Sequence, residues 1–315
     1  MFNIYLPIAD MSINFFLVIG IGGMVGFLSG LFGVGGGFLL TPLMMMIGIP
    51  PAVAAASDSN QIVASSASGA FGHWKLGNVD MKMGLVILAG GVSGGTVGVH
   101  LVHYLRAMGN FEFVMKLVYV VMLGTIGGAM FVESLRALRK TQTTESVDMG
   151  EGEMNQPGLS RIFSKLPLQM NFTKSHLRTS AIFPFFIGFA VGVLAALLGV
   201  GGGFIMVPAM IYVIGMPTIT AIGTDLFQIV MTSANVTLQQ AITNHTVDIG
   251  LALTLLMGSV VGAQFGVRAS KYLRGEQIRI LLSIIVLAMM FKLVLDLVLT
   301  PDNVVSFAAG AGGGH

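Results

Sequence analysis

The stretch "GVGGGF" occupies Gly33 to Phe38 and recurs letter for letter at Gly199 to Phe204. Each copy lies between apolar runs, and a proline follows each, Pro42 in the first case and Pro208 in the second. A glycine inside a helix costs roughly 1 kcal/mol relative to alanine. Four glycines in five residues therefore break a helix, and this chain makes the same break twice.

The composition says what is being broken. Of 315 residues, 54% are hydrophobic and only 10% charged, and the mean hydropathy is +0.86. Soluble domains carry about 25% charged residues; a soluble chain of this size could bury a core but could not cover its surface. The expectation is a polytopic membrane protein of all-α class. A net charge of +2 gives no reason to expect nucleic acid, and the absence of cysteine excludes disulfides and thiolate metal sites. The first apolar run has no Lys or Arg before it and belongs to a repeat, so it is read as mature structure rather than a signal peptide.

Sliding the chain along itself shows the repeat. The glycine motif matches at an offset of 166, with Pro42 on Pro208 and Pro51 on Pro217. One added residue later, "DSNQIV" (Asp58 to Val63) falls on "DLFQIV" (Asp225 to Val230). After a second added residue "NVD" (Asn78 to Asp80) meets "TVD" (Thr246 to Asp248), and Gly90, Gly94 and Gly98 meet Gly258, Gly262 and Gly266. Each copy holds about five apolar segments, near 13–32, 37–49, 52–72, 83–105 and 113–133, and near 181–198, 203–215, 218–241, 249–271 and 278–299. Most approach the roughly 20 residues that a membrane helix needs, while the second of each five is too short to cross upright. The expected organisation is a first membrane repeat at 1–133, a polar cytoplasmic linker at 134–180, a second repeat at 181–300 and a flexible tail at 301–315.

Lys and Arg near segment ends set orientation. The linker is basic, as is the loop around Lys271 and Arg274, whereas Thr243 to Val247 has no Lys or Arg. Lys75 and Lys82 also read as inside, although Arg106 weakens the contrast. These assignments require an odd number of crossings per copy, hence inverted repeats, an architecture common among secondary transporters. Parallel copies with a re-entrant short segment are the competing arrangement.

Irregular backbone survives in hydrocarbon only against protein or a water-filled cavity. A helix starting after "GVGGG" would aim free N–H groups and its positive dipole end into such a cavity. Two such short helices meeting near the midplane would suit an anion. The candidate substrate-binding glycines are Gly33, Gly35, Gly36 and Gly37 in one copy and Gly199, Gly201, Gly202 and Gly203 in the other. The other reading is that these glycines only let helices pack closely, which is the preferred one for Gly90, Gly94 and Gly98; a Gly94→Ala change is then expected to be milder than Gly→Val at Gly36 or Gly202.

The third segment of each copy carries the remaining unusual chemistry. Spacing of three places Asp58 with Gln61, and Asp225 with Gln228, on similar helix faces. A carboxylate at that depth costs several kcal/mol unless hydrated, paired or protonated. Asp58 and Asp225 are candidates for proton coupling, or else caps of a neighbouring helix. Gln61 and Gln228 are neutral donors suited to oxyanion oxygens, with Ser65 and Thr232 one turn on; hydroxyls in helices also commonly bond their own backbone. Glu112 with Lys116, and Lys292 with Asp296, are spaced for local ion pairs. His100 and His103, near a helix end, are the minor candidates for a metal or proton role; no H-E-x-x-H or carboxylate cluster points to a bound metal, and neither a nucleotide loop nor a cofactor is suggested.

The segments "GFLSGLFGVGGGFLLTP" (Gly26 to Pro42) and "GVLAALLGVGGGFIMVP" (Gly192 to Pro208), with the spaced-glycine fourth segments, resemble the TauE/SafE family of sulfite exporters. The resemblance implies a bacterial inner-membrane carrier, with sulfite, organosulfonates and related sulfur-containing anions as cargo and the two glycine-rich halves meeting around the path. The expected partners are a small anion and the bilayer, a homo-oligomer being compatible with the sequence. A passive anion channel and an intramembrane aspartyl enzyme are the alternatives; the enzyme is disfavoured because the aspartates stand in "ASD" and "GTD" rather than G-x-G-D. No ATP-binding module is apparent, so active transport would draw on an ion gradient or the membrane potential.

Overall fold

A computed structural model describes residues 3–32, 37–140, 169–172, 174–175, 177–270 and 275–299. Ten α-helices occur among them, five on each side of the undescribed 141–168. The first five are α1 (Phe15–Phe32), α2 (Gly37–Met46), α3 (Pro51–Lys75), α4 (Met81–Ala107) and α5 (Phe111–Lys140). The second five are α6 (Ile182–Leu198), α7 (Gly203–Pro208), α8 (Thr218–Gln239), α9 (Ile249–Ser270) and α10 (Gly275–Val298). A short hairpin precedes each set: β1 (Asn3–Leu6) with β2 (Met11–Asn14), and β3 (Gln169–Phe172) with β4 (Leu177–Ser180). The second hairpin falls within the stretch read from sequence as linker.

Among the described residues, four helices contain a stretch long and apolar enough to cross a membrane: Met81–Ala107, Phe111–Ala129, Ile249–Gly266 and Ile280–Val298. Their outward faces carry large apolar side chains, among them Leu85, Phe113, Val121, Met257 and Phe291, which is the surface that lipid requires. α3 and α8 are as long but too polar to qualify. They pack against each other, α3 also touching α2 and α9, and α8 also touching α4. That packing buries Asp58 and Gln61 of α3 and Asp225 and Gln228 of α8.

The main helix contacts pair α1 with α9, α6 with α4, α5 with α10 and α3 with α8. The first two pairs approach to backbone distance through glycines. A Cβ at Gly258 or Gly262 would strike the backbone of Ile19 or Gly23, and a Cβ at Gly90 or Gly94 that of Phe185 or Phe189. Spaced glycines thus act as packing surfaces.

Both residues added in the second half are taken up as π-turns, which fit one extra residue into a helix. Gly48 (φ 92°) and Gly215 (φ 87°) end the two short helices in the same left-handed conformation, and they are 167 apart rather than 166. The first added residue therefore lies in the π-turn Ala209–Ile214, and Pro50, not Pro51, is the counterpart of Pro217. The second π-turn, Gln240–Asn244, extends α8 ahead of the "TVD" segment.

The two hairpins sit at opposite ends of the helices. Asp248 accepts hydrogen bonds from Leu251 N at 3.0 Å, capping α9, and from Ile8 N of the first hairpin at 3.2 Å. Asp80 caps α4 through Met83 N at 3.2 Å and accepts from Ser175 N and Oγ of the second hairpin at 3.0 and 2.6 Å. α4 is 27 residues long, or about 40 Å at 1.5 Å per residue. At its far end Arg106 donates to the carbonyl of Asn244 at 2.8 Å. The first hairpin, Arg106, Asn244 and the start of α9 thus share one face, called here the N-terminal face. Lys75, Lys174 and the start of α4 share the opposite one.

Candidate functional site

Where the two glycine motifs meet, the molecule is densely packed. Gly37 begins α2, and a Cβ there would meet the Ile62 side chain and the carbonyl of Val200. Gly199, Gly201 and Gly202 have φ of 75°, 70° and 88°, values open to glycine and costly for other residues. Gly201 lies against Ile62 and Ile229, and Gly202 against Val191; Gly203 opens α7 and is buried. Phe38 and Phe204, the last letters of the two motifs, stack on one another. Gly33, Gly35 and Gly36 lie outside the described residues.

The two aspartates are both buried but held differently. Thr41 of α2 donates to Asp58 Oδ2 at 2.7 Å, and Asp58 Oδ1 has no protein partner. Asp225 accepts from Gln228 at 3.1 Å, and Gln228 Oε1 accepts from Thr232 at 2.9 Å, a run along one face of α8 as the spacing predicts. On α3 the matching pair separates. Gln61 turns away from Asp58 and donates to Ser259 Oγ of α9 at 2.7 Å. The Ser65 hydroxyl, on an exposed residue, donates to the carbonyl of Ile62 at 3.2 Å.

Gln61 and Ser65 line a cavity of about 390 Å³ between α1, α3 and α9, together with Ser29, Ser259, Gln264 and Arg268. Gly37 and Gly199 to Gly203 do not line it. The cavity runs from buried Gln61 toward the last turn of α9, at the opposite face. Sequence reasoning missed Gln264 and Arg268. The available signal was two polar residues four apart near the end of an apolar segment, one of them a full charge.

The corresponding surface in the other half is shut. There α4, α6 and α8 face one another at positions matching those of α9, α1 and α3. Gln239 donates to Thr96 at 2.7 Å and to Asn235 at 2.9 Å, while Val99, Ala196 and Val236 form a buried apolar cluster. The π-turn closes the end nearest the N-terminal face. Its Gln240 donates to the carbonyl of Ala196 at 3.1 Å, and Asn244 donates to Gln240 at 2.6 Å. An extra residue in α8 supplies these contacts.

Other expectations resolve locally. Glu112 and Lys116 form an ion pair at 2.6 Å, whereas Lys292 and Asp296 do not pair. Among the described residues no cluster of His, Asp or Glu could hold a metal ion.

The chain is 27% identical over 292 residues to a Bacillus subtilis protein described as probable membrane transporter protein YjnA, covering 90% of this chain and all of that one. A Xylella fastidiosa probable membrane transporter protein is 27% identical over 256 residues, 79% of this chain and 82% of the relative. A short segment of 54 residues is 46% identical to sulfite exporter TauE/SafE family protein 1 of Arabidopsis thaliana, covering 17% of this chain and 12% of that protein. No solved structure matches. These names describe membrane transporters rather than enzymes, in keeping with a multi-pass helical chain. Residues 18–293 match the sulfite exporter TauE/SafE family, and the chain belongs to that family.

Proposed function

We propose that the chain is a secondary transporter of the bacterial inner membrane that exports small sulfur-containing anions, such as sulfite or organosulfonates, by alternating access between two inverted repeats. The observation that carries this reading is the contrast between two matched helix sets. On the α1–α3–α9 side a polar cavity leads from Gln61 toward the opposite face, while the α4–α6–α8 side is closed by Thr96, Asn235 and Gln239.

Inversion is supported by the placement of the hairpins at opposite ends. Grouping of Lys75 and Lys174 on one face agrees with that face being cytoplasmic under the rule that positive loops stay inside. Substrate would meet Gln61, Ser65, Gln228 and Thr232, with the glycine-broken backbone at Gly33 to Gly37 and Gly199 to Gly203 shaping the crossing. Asp58 and Asp225 would carry coupling protons. A passive channel is the second reading; the closed α4–α6–α8 surface speaks for a carrier.

The test is flux in liposomes with sulfite, sulfate, thiosulfate, taurine and sulfoacetate, with and without a proton gradient. Saturable flux of at least one sulfur oxyanion, enhanced by the gradient, is expected. No flux of any of the five would overturn the proposal.

A further inference from the structure

We propose that Arg268 makes the α1–α3–α9 cavity an anion-capture site for small oxyanions such as sulfonates, loaded from the opposite face. The inference deepens the transporter reading above and rests on it.

Arg268 stands in the last turn of α9, exposed, and is the single charged residue among the described residues lining the cavity. Among the described residues it forms no ion pair. Its guanidinium lies 6.0 Å from the Phe265 ring centre. Among the described residues no carboxylate faces it, and a cationic mouth concentrates anions and repels cations. Ser29, Ser65 and Gln264 add neutral polar groups beside it. The guanidinium is always charged and offers a planar fork suited to two oxygens of one anion.

The depth of the cavity divides the work. Arg268 and Ser259 are nine residues apart on α9, so their backbones are separated by roughly 13 Å. Arg268 captures at the mouth, and the Gln61–Ser259 pair meets the anion deeper in. About 390 Å³ admits an organosulfonate and falls within the ordinary range for small-ligand sites. The position matching Arg268 in the closed half is His100, without a permanent charge. Capture is thereby biased to one side, the side an exporter loads from.

The chain contains no cysteine, so a single Gln264→Cys reporter can be read without background, with Val260→Cys as a second reporter on the same wall. In nanodiscs of purely zwitterionic lipid, the rate of modification is compared for an anionic and a cationic methanethiosulfonate of similar size. The expected ratio is about tenfold in favour of the anionic reagent, falling to about one with Arg268→Gln and largely kept with Arg268→Lys. Millimolar sulfoacetate should slow modification when Arg268 is present and not in Arg268→Gln. A ratio or protection unchanged by Arg268→Gln in both reporters overturns the inference. Liposome flux on the same preparations separates the two proposals. Flux without charge selectivity sinks the capture site alone, and charge selectivity without flux of any sulfur oxyanion sinks the transporter reading.

Discussion

The rings of Phe38 and Phe204 lie stacked, their centroids 4.1 Å apart and their planes 10° from parallel. They are the same letter of the same motif. In the proposed two-copy arrangement, matched positions that touch lie on the axis relating the copies, which would bring the glycine breaks together where the halves exchange. Each Phe→Ala change should destabilise by about 3 kcal/mol through the cavity it leaves. The double variant should show a coupling of about 1 kcal/mol in a thermal or denaturant cycle on purified protein. Strict additivity would mean that the stack contributes nothing of its own.

Glycine substitutions should sort by what a Cβ would meet. Gly128 has nothing within contact distance, so Gly128→Ala is expected to leave stability unchanged or raise it by up to roughly 1 kcal/mol. Gly94→Ala should be costly, because its Cβ would strike the carbonyl of Phe189; it should part α4 from α6 and lower the melting temperature sharply. Gly202→Val combines a φ of 88° with a clash at Val191 and should abolish anion binding with membrane insertion intact. Fluorescence-detected size-exclusion separates these outcomes from simple misfolding.

Much of this was legible in the sequence, and what escaped it has a physical pattern. The repeat and its broken helices stood out because consecutive glycines and fixed offsets do not depend on tertiary context. "NVD" and "TVD" were visible only as landmarks, although an aspartate before an apolar run is an ordinary N-cap signal. Their reach to Ser175 and Ile8 could not be read, since each contact joins residues from different halves. Four-residue hairpin strands are too short for periodicity to register. Gln61 and Gln228 looked equivalent and have different partners, Ser259 and Thr232, because Gly91 stands where the first cavity has Ser259.

The capping aspartates supply a control for the buried ones. Asp80→Ala and Asp248→Ala should each destabilise by about 1–2 kcal/mol, lowering yield and flux together. Asp58→Asn and Asp225→Asn should instead depress proton-driven flux more than exchange, since Asn cannot cycle a proton. The two need not fall equally, as Asp58 is held by Thr41 and Asp225 by Gln228. Parallel loss of yield, exchange and driven flux would reassign both to structure.

Sidedness can be read without substrate. Leu76 and Met108 are exposed at the two ends of the molecule. Single cysteines there should react with a membrane-impermeant thiol reagent from opposite sides of intact cells, Met108→Cys from outside. Labelling of both from one side would dismiss the inverted arrangement.

The closed half should act as a gate. Cysteines at Thr96 and Gln239, bridged by a short bifunctional thiol reagent, should stop flux reversibly while leaving Gln264→Cys open to modification from the opposite face. Undiminished flux in the bridged protein would place the path elsewhere.

A carrier and a pore differ most directly in exchange. Liposomes preloaded with unlabelled anion should take up labelled anion of the same kind severalfold faster than empty ones, because a loaded site returns faster than an empty one. The measurement uses whichever of sulfite, taurine or sulfoacetate gives saturable flux, with the membrane potential clamped. Trans-acceleration of that uptake is the result predicted for alternating access between the two halves. Uptake that ignores the internal anion and rises linearly with the external one would contradict it.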